Sequence, residues 1–397
     1  MAEIKKVVIV SAARTAVGSF LGQFKDVPAT RLGSAVIKDA VRKAGIDPLL
    51  VDEVIMGNVL PANEGQAPAR QAALGAGLDK GVQCLTVNKV CGSGLKAVML
   101  AAQAIMVGDA EVVVAGGMEN MSQAPFYLPG YRQGHKMGNV TLVDGMIKDG
   151  LWDPYNDFHM GNAADLCAEN CNVPREAQDE FTMLSYRRAL ASMEKGLFKE
   201  EIAPVEVPLK KGQTRLVAED EEPGRVKFEK IPQLKPAFGK EGTVTAANAS
   251  SINDGAAALL LMSEEKAREL NLEPLASIVS QASAARLPEE FTTAPSDSIR
   301  KALQKAALKV EDIDLFEINE AFAVVTLINN RLLDIPVEKV NVNGGSVAIG
   351  HPIGASGARI LVTLLHAMKQ RKAKYGLASI CIGGGEASTL IVERGLK

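Results

Sequence analysis

Cysteine is scarce in this chain, with five residues among 397: Cys84, Cys91, Cys167, Cys171 and Cys381. Their uneven spacing argues against a disulfide framework and no C-x-x-C occurs, so a reducing cytoplasm is the expected setting and thiols are free for chemistry. The four histidines, His135, His159, His351 and His366, show no zinc-ligand spacing. A dominant charge is also missing. Forty-four basic against 47 acidic side chains leave a net charge of −3, so no global field points to nucleic acid or a membrane surface as partner. No apolar run approaches the ~20 residues that span a bilayer. Met1–Val10 sets Lys5 and Lys6 before only a short apolar run, which reads as a first strand and not as a signal peptide. Arg394–Lys397 carries no sorting tripeptide. G-x-x-x-x-G-K-[ST] occurs nowhere, and the glycine-rich segment around His351 lacks G-x-G-x-x-G, which argues against nucleoside triphosphate and dinucleotide sites.

What is present is a globular chain long enough for two or three domains. Lys6–Val10, Val51–Met56, Cys84–Val87 and Glu111–Ala115 read as strands, with a turn-rich Ser11–Gly22 after the first. Ala29–Ala44 has the spacing of an amphipathic helix, and Leu95–Val107 reads as a helix apolar nearly all round, hence buried on most sides. This alternation argues for an α/β fold with covered sheets. The later part repeats the plan. Ala40–Asp47 lies beside Ala302–Lys309, Val51–Met56 beside Ile313–Ile318, Val87–Ser93 beside Val340–Ser346, and Val112–Gly117 beside Ser379–Gly384. The shared order points to duplication. Glu119–Asn248 breaks the pattern with a polar loop (Ser122–Asp157), helices over Ala163–Glu169 and Pro174–Lys195, and a charged stretch from Leu209 to Lys240. It reads as an inserted domain that shapes a ligand site.

Cys91 falls between a strand and a buried helix, in Val87-Asn-Lys-Val-Cys-Gly-Ser-Gly-Leu95. A thiol at a helix N-terminus meets the positive end of the dipole, which favours the reactive thiolate; a packed structural cysteine is the alternative. His351 lies on a glycine-flanked loop before a helix over Ala358–Met368, with Pro352 restricting its backbone, a good station for a general base. Cys381 follows an apolar strand and precedes Gly383-Gly-Gly385, whose N–H groups can converge on an oxyanion. Asn319 is placed to cap a helix after the strand Asp314–Ile318, or to orient a water.

Cys91, Asn319, His351 and Cys381 in these contexts resemble the thiolase family, and the likeness extends through Ser11-Ala-Ala-Arg-Thr15, Gly116-Gly-Met-Glu-Asn-Met-Ser122, Gly242–Ser250 and Gly350-His-Pro-Ile-Gly354. The resemblance implies duplicated α/β halves forming a five-layered αβαβα core. Residues 1–120 would form the N-terminal half with 248–272 returning to it, 121–247 a loop domain for coenzyme A binding and tetramerisation, and 273–397 the C-terminal half. It further implies a cysteine acyl-enzyme. Cys91 would be the nucleophile, His351 its base, and Cys381 the proton carrier at the substrate α-carbon. Asn319 would hold a water facing the enolate oxygen, and the N–H groups of Cys91 and Gly383 would form a second oxyanion site. Metal and resident cofactor are not expected; coenzyme A enters as substrate and product.

For the coenzyme A pocket the matching segments offer His159, Met160, Phe238, Ala246, Ser250, Phe291, Ala321 and Phe322, with Arg225 as an adenine-side substitute where the strict match is Pro223. The segment Gly134–Gly150 resembles a tetramerisation loop, so a homotetramer acting on acyl-CoA esters is expected. Phe291 replaces the Met common in short-chain members, and Ala387 replaces a glycine, which bears on the geometry of the following loop. Acetoacetyl-CoA is the expected substrate, with a broader or longer-chain 3-ketoacyl-CoA thiolase as the alternative. Ketoacyl synthases use two histidines where this chain has Asn319 and Cys381. A silent acyl-CoA-binding subunit is disfavoured because all four reactive positions are filled.

Overall fold

The computed structural model describes residues 4–395; the extreme ends of the expected first and last segments, residues 1–3 and 396–397, lie outside them. Its backbone is one mixed sheet with strands in the order Leu315–Ile318, Tyr375–Ile382, Glu386–Glu393, Ala276–Ala285, Val7–Arg14, Asn253–Ser263, Val112–Asn120, Glu53–Gly57 and Gln83–Val87. The join in the middle is narrow: Val7–Arg14 meets Ala276–Ala285 only through Val8 with Ser277 and Ile9 with Ala276. On each side of that seam the pairings run antiparallel, antiparallel, parallel, parallel. Val340, bridged to Phe316, stands in the second half where Gln83–Val87 stands in the first. The same pairing sequence twice is the structural form of the duplication.

Alternation along the strands builds the layers. Val8, Val10, Val112, Val114, Ala258 and Leu260 face the outer helices Ala29–Ala44 and Pro68–Gly75. Val7, Ile9, Val113, Ala115, Leu259 and Leu261 face inward, onto Ser93–Val107 and Ile353–Arg371. Ala378, Ile380, Leu390 and Val392 of the other half close on the same two helices, while Leu377 and Ile391 turn out to Ala294–Ala306. Helices, sheet, helices, sheet, helices: the fold is five-layered α/β. The window Val90–Val107 has the length and hydropathy of a membrane span, yet Ser93–Val107 lies in the middle layer between the two sheet halves.

Several expectations shift. The first strand runs on to Arg14 where a turn was expected, because Arg14 is buried between Glu201 (2.5 Å) and Asp220 (2.7 Å), which fixes an extended chain. Val112–Asn120 likewise continues past Ala115. Gly116 and Gly117 are strand interior and not a loop like Gly383–Gly385: a Cβ on Gly117 would stand 2.0 Å from the Gly354 carbonyl oxygen. The ladder register also corrects the repeat. Glu53 stands level with Val113 and Leu315 with Gly376, so Val112 corresponds to Tyr375 and not to Ser379. The helix after Asn319 begins only at Ala323, with Phe322 at its N-cap. Ala387 sits inside the strand Glu386–Glu393, and Gly384 and Gly385 (φ 87° and 88°) make the turn, so the replaced glycine leaves that turn unaltered.

Gly117→Ala tests the close approach. It is expected to cost about 3 kcal/mol in urea unfolding, as overpacking against backbone does, whereas Gly45→Ala, at φ 69° with open space beside it, costs ~1 kcal/mol.

Candidate active site

Cys91 stands in the turn between Gln83–Val87 and Ser93–Val107. Val90, just before it, has φ 45°, a costly conformation for a β-branched residue. Side chains hold the turn: Val90 N donates to Asn88 Oδ1 (3.0 Å), and Ser93 Oγ accepts from Lys89 N (2.8 Å) and donates to Val90 O (2.7 Å). The turn sets Cys91 on the same cavity as Gly383 of the opposite half, and the N–H groups of Gly383 and of Cys91 itself draw the thiol's pKa down. Burial nevertheless pushes the thiol up to about 11, against the pull of those two N–H groups. Loss of solvent at the sulfur thus opposes the pull of the helix terminus toward the thiolate.

His351 is 5% exposed. Its Nδ1 lies 2.6 Å from Ser356 Oγ, and Ser356 Oγ donates its hydrogen to Pro352 O (2.9 Å). That hydroxyl has one hydrogen, so it accepts from Nδ1–H, and the lone pair of the neutral imidazole is left on Nε2. Burial, then the nearby Arg359 guanidinium, lower the ring's pKa to about 3. Burial thus favours the neutral form of both side chains. Asn253 Oδ1 receives the His351 backbone N–H at 2.8 Å. Glu119 ties the neighbouring loops together, accepting from Val59 N, Leu60 N, Gly354 N and Asn58 Nδ2 at 2.8–3.1 Å. Burial raises that carboxyl to about 8 while these donors draw it down.

Cys91, His351 and Gly383 line one cavity of about 410 Å³ together with His159, Met160, Phe238, Ala246, Ser250, Phe291, Ala321 and Phe322. Its wall is aromatic: His159 stacks on Phe238 (4.7 Å), and Phe322 meets Phe238 and Phe291 edge-on (6.2 and 6.3 Å). His159 also caps the helix Met160–Asn170, its Nδ1 accepting from Gly161 N at 3.0 Å, and Ser250 Oγ donates to Ala321 O at 2.8 Å. Met121, Leu151, Ile252 and Ile353 line it too and were not anticipated; the signal was there for Met121, inside the Gly116–Ser122 motif. Cys381 and Asn319 are buried (each 1% exposed) and do not line the cavity. Cys381 packs with Phe291 and Phe322; burial, then the neighbouring Cys91, push its thiol well above the ordinary range. Arg225 stands apart, exposed and 3.8 Å from Glu221. Among the described residues no group of three His, Cys, Asp or Glu side chains could hold a metal ion.

A thiol and an imidazole on one cavity, with a second thiol buried beside it, in a duplicated α/β frame fit an acyl-transfer enzyme. Residues 7–265 match the family model described as thiolase, N-terminal domain, and 272–394 that described as thiolase, C-terminal domain. The chain belongs to the thiolase family of acyltransferases. It is 57% identical over 389 residues to an acetyl-CoA acetyltransferase of Cupriavidus necator, covering 98% of this chain and 99% of that one. An acetyl-CoA acetyltransferase of Schizosaccharomyces pombe is 53% identical over 390 residues (98% and 99%). The mitochondrial acetyl-CoA acetyltransferase of Bos taurus is 52% identical over 392 residues (98% and 92%).

Because the free thiol is raised to about 11, thiolate grows with pH up to that value. Iodoacetamide labelling of Cys91, followed by mass spectrometry, is expected to accelerate continuously above about pH 8. A plateau reached near neutrality would show a resting thiolate instead.

Proposed function

We propose that the chain is an acetyl-CoA acetyltransferase, cleaving acetoacetyl-CoA with coenzyme A and, in reverse, condensing two acetyl-CoA molecules through an acetyl-Cys91 intermediate. The observation that carries this reading is that Cys91, His351 and Gly383, from both halves of the chain, line one cavity.

In the cleavage direction His351 Nε2 takes the Cys91 proton as the sulfur attacks the 3-keto carbon. The resulting oxyanion rests on the two N–H groups. As the bond between the α-carbon and that carbon breaks, the electron pair passes to the departing acetyl-CoA as its enolate. The protonated Nε2 and a water held by Asn319 stabilise the enolate oxygen, and Cys381 gives the α-carbon its proton. Coenzyme A thiol, passing its proton to the Cys381 thiolate, then displaces the acetyl group from Cys91, whose leaving sulfur takes back the proton held by His351, a step suited to sulfur, which leaves as readily as it attacks. Coenzyme A is substrate and product; the reaction as proposed uses no resident cofactor or metal. The rings of Phe291, Phe322 and Phe238 wall the cavity and support a short acyl group over longer ones. Residues 1–120 with 248–272, and 273–397, would be the two catalytic halves, and 121–247 the loop domain that admits coenzyme A.

The same reading includes a homotetramer in the cytoplasm. The hairpin Phe126–Tyr127 with Val143–Asp144 carries exposed Phe126, Tyr131, Met137 and Leu142, apolar surface suited to a second copy, and all five cysteines are free, as in a reducing compartment. Charged substitutions at Met137 and Leu142 are expected to lower the mass measured by light scattering while acetylation of Cys91 persists.

Cys91→Ala should abolish trapping of radiolabelled acetyl. Cys381→Ser should still acetylate Cys91 yet lose roughly a hundredfold or more in α-carbon exchange and condensation; equal loss of both half-reactions would remove Cys381 from its role. Thiolysis rates are expected to fall steeply from four- to six- and eight-carbon 3-ketoacyl-CoA, and Phe291→Ala to flatten that series.

A further inference from the structure

Arg359 is among the largest fully buried side chains of the molecule, 1% exposed, on the helix that follows His351. Its nearest carboxylate, Glu317, is 3.8 Å away, and Arg359 Nε and Nη1 and both Glu317 oxygens lack hydrogen-bond partners among the described residues. A buried ion pair of that geometry contributes little to stability. Among the described residues, the one hydrogen bond of the Arg359 side chain leads to Asn319. Nη2 donates to Ser346 Oγ (2.9 Å), and Ser346 Oγ donates to Asn319 Oδ1 (2.6 Å).

Donor counting gives this chain a direction. A guanidinium only donates, so the Ser346 oxygen accepts from it, and the single hydroxyl hydrogen is left for Asn319. The amide atom facing Ser346 must then be Oδ1, and Nδ2 is turned the other way. Asn319 Nδ2 has no partner among the described residues, and neither has His351 Nε2. These are the two donors that the enolate step calls on. We propose that Arg359, acting through Ser346, is a positioning residue for the carbon–carbon step, locking the Asn319 amide with its N–H edge free to hold the water that faces the enolate oxygen. The inference rests on the role given to Asn319 above. A neutral side chain such as glutamine can accept as well as donate; it would let Ser346 turn its hydrogen away and free the Asn319 amide to flip.

The test separates the half-reactions. Acetylation of Cys91 by acetyl-CoA is read by mass spectrometry, and exchange of the acetyl-CoA methyl hydrogens with deuterated water reads the enolate step. Ser346→Ala and Arg359→Gln should slow exchange roughly tenfold to a hundredfold while acetylation stays within about twofold, and Arg359→Lys, still donor-only, should recover most of the exchange. In an Asn319→Ala background, Ser346→Ala should add little, because the group it positions is already gone. Equal loss of both half-reactions, or the same further loss on top of Asn319→Ala, would make the relay merely structural and overturn the proposal. Normal exchange in Ser346→Ala with slow exchange in Asn319→Ala would overturn the relay and leave Asn319 standing. Normal exchange in Asn319→Ala would overturn both. Should Ser346→Ala fail to fold, the contrast of Arg359→Gln with Arg359→Lys reads the same question.

Discussion

The active site depends on how closely two helices approach in the middle layer. A Cβ on Gly94 would stand 2.8 Å from Ala358 N, and one on Gly357 would stand 2.4 Å from Leu95 N. The contact therefore brings together the first turns of Ser93–Val107 and Ile353–Arg371, one helix from each half. Cys91 precedes Gly94 by three residues, and His351 precedes Gly354 by three. Backbone that can touch only through glycine thus sets Cys91 and His351 on one cavity. The arrangement also sets the N-termini of two helices, the positive ends of their dipoles, beside the cavity that Cys91 and His351 line. A side chain at any of these glycines would separate the two halves of the chemistry before it disturbed either half alone.

Burial then decides what state the chemistry starts from. With Cys91 raised to about 11 and His351 lowered to about 3, a thiolate–imidazolium pair is unfavourable in the free enzyme. Proton transfer becomes favourable only as the sulfur attacks, when charge passes on to a substrate oxygen that the Cys91 and Gly383 N–H groups can receive. Such a site stays unreactive toward passing electrophiles and yet offers a strong nucleophile to a bound thioester. The desolvation that makes the resting thiol sluggish is the same desolvation that strengthens every hydrogen bond to the oxyanion.

The duplication and the strand–helix alternation were legible in the sequence because each depends on local pattern, apolar runs and glycine-rich turns, whereas Cys91, Asn319, His351 and Cys381 stood out as a set only through the family resemblance. The strand ends were less so. Arg14 extends its strand by pairing with Glu201 and Asp220 far along the chain, and Gly116–Gly117 look like a turn until Gly354 is seen against them. Glu119, Ser346 and Arg359 went unremarked for the same reason. A buried polar side chain is defined by partners distant in sequence, and no periodicity marks it. Arg359 did leave a trace, a single cation inside the apolar run Ala358–Met368, which burial turns from an interruption into a relay.

The two halves share a frame and have divided the labour at its strand ends. In the first half, Glu119 at the end of Val112–Asn120 gathers Asn58, Val59, Leu60 and Gly354 around one carboxylate. In the second, Glu320 does similar work just past Leu315–Ile318, accepting from Ser185 Oγ, Asn341 Nδ2 and Val347 N. A Cβ on Gly345 or Gly354 would collide with these carboxylates, so each knot is closed too tightly to admit a side chain. With the loops fixed in this way, the neighbouring second-half positions, Asn319 beside Glu320 and Cys381 across the ladder, are released from scaffolding. A fold that spends one buried carboxylate per half on rigidity can leave an amide and a thiol at adjacent strand ends without structural duty, which is the condition a polar group must meet before it can serve a reaction.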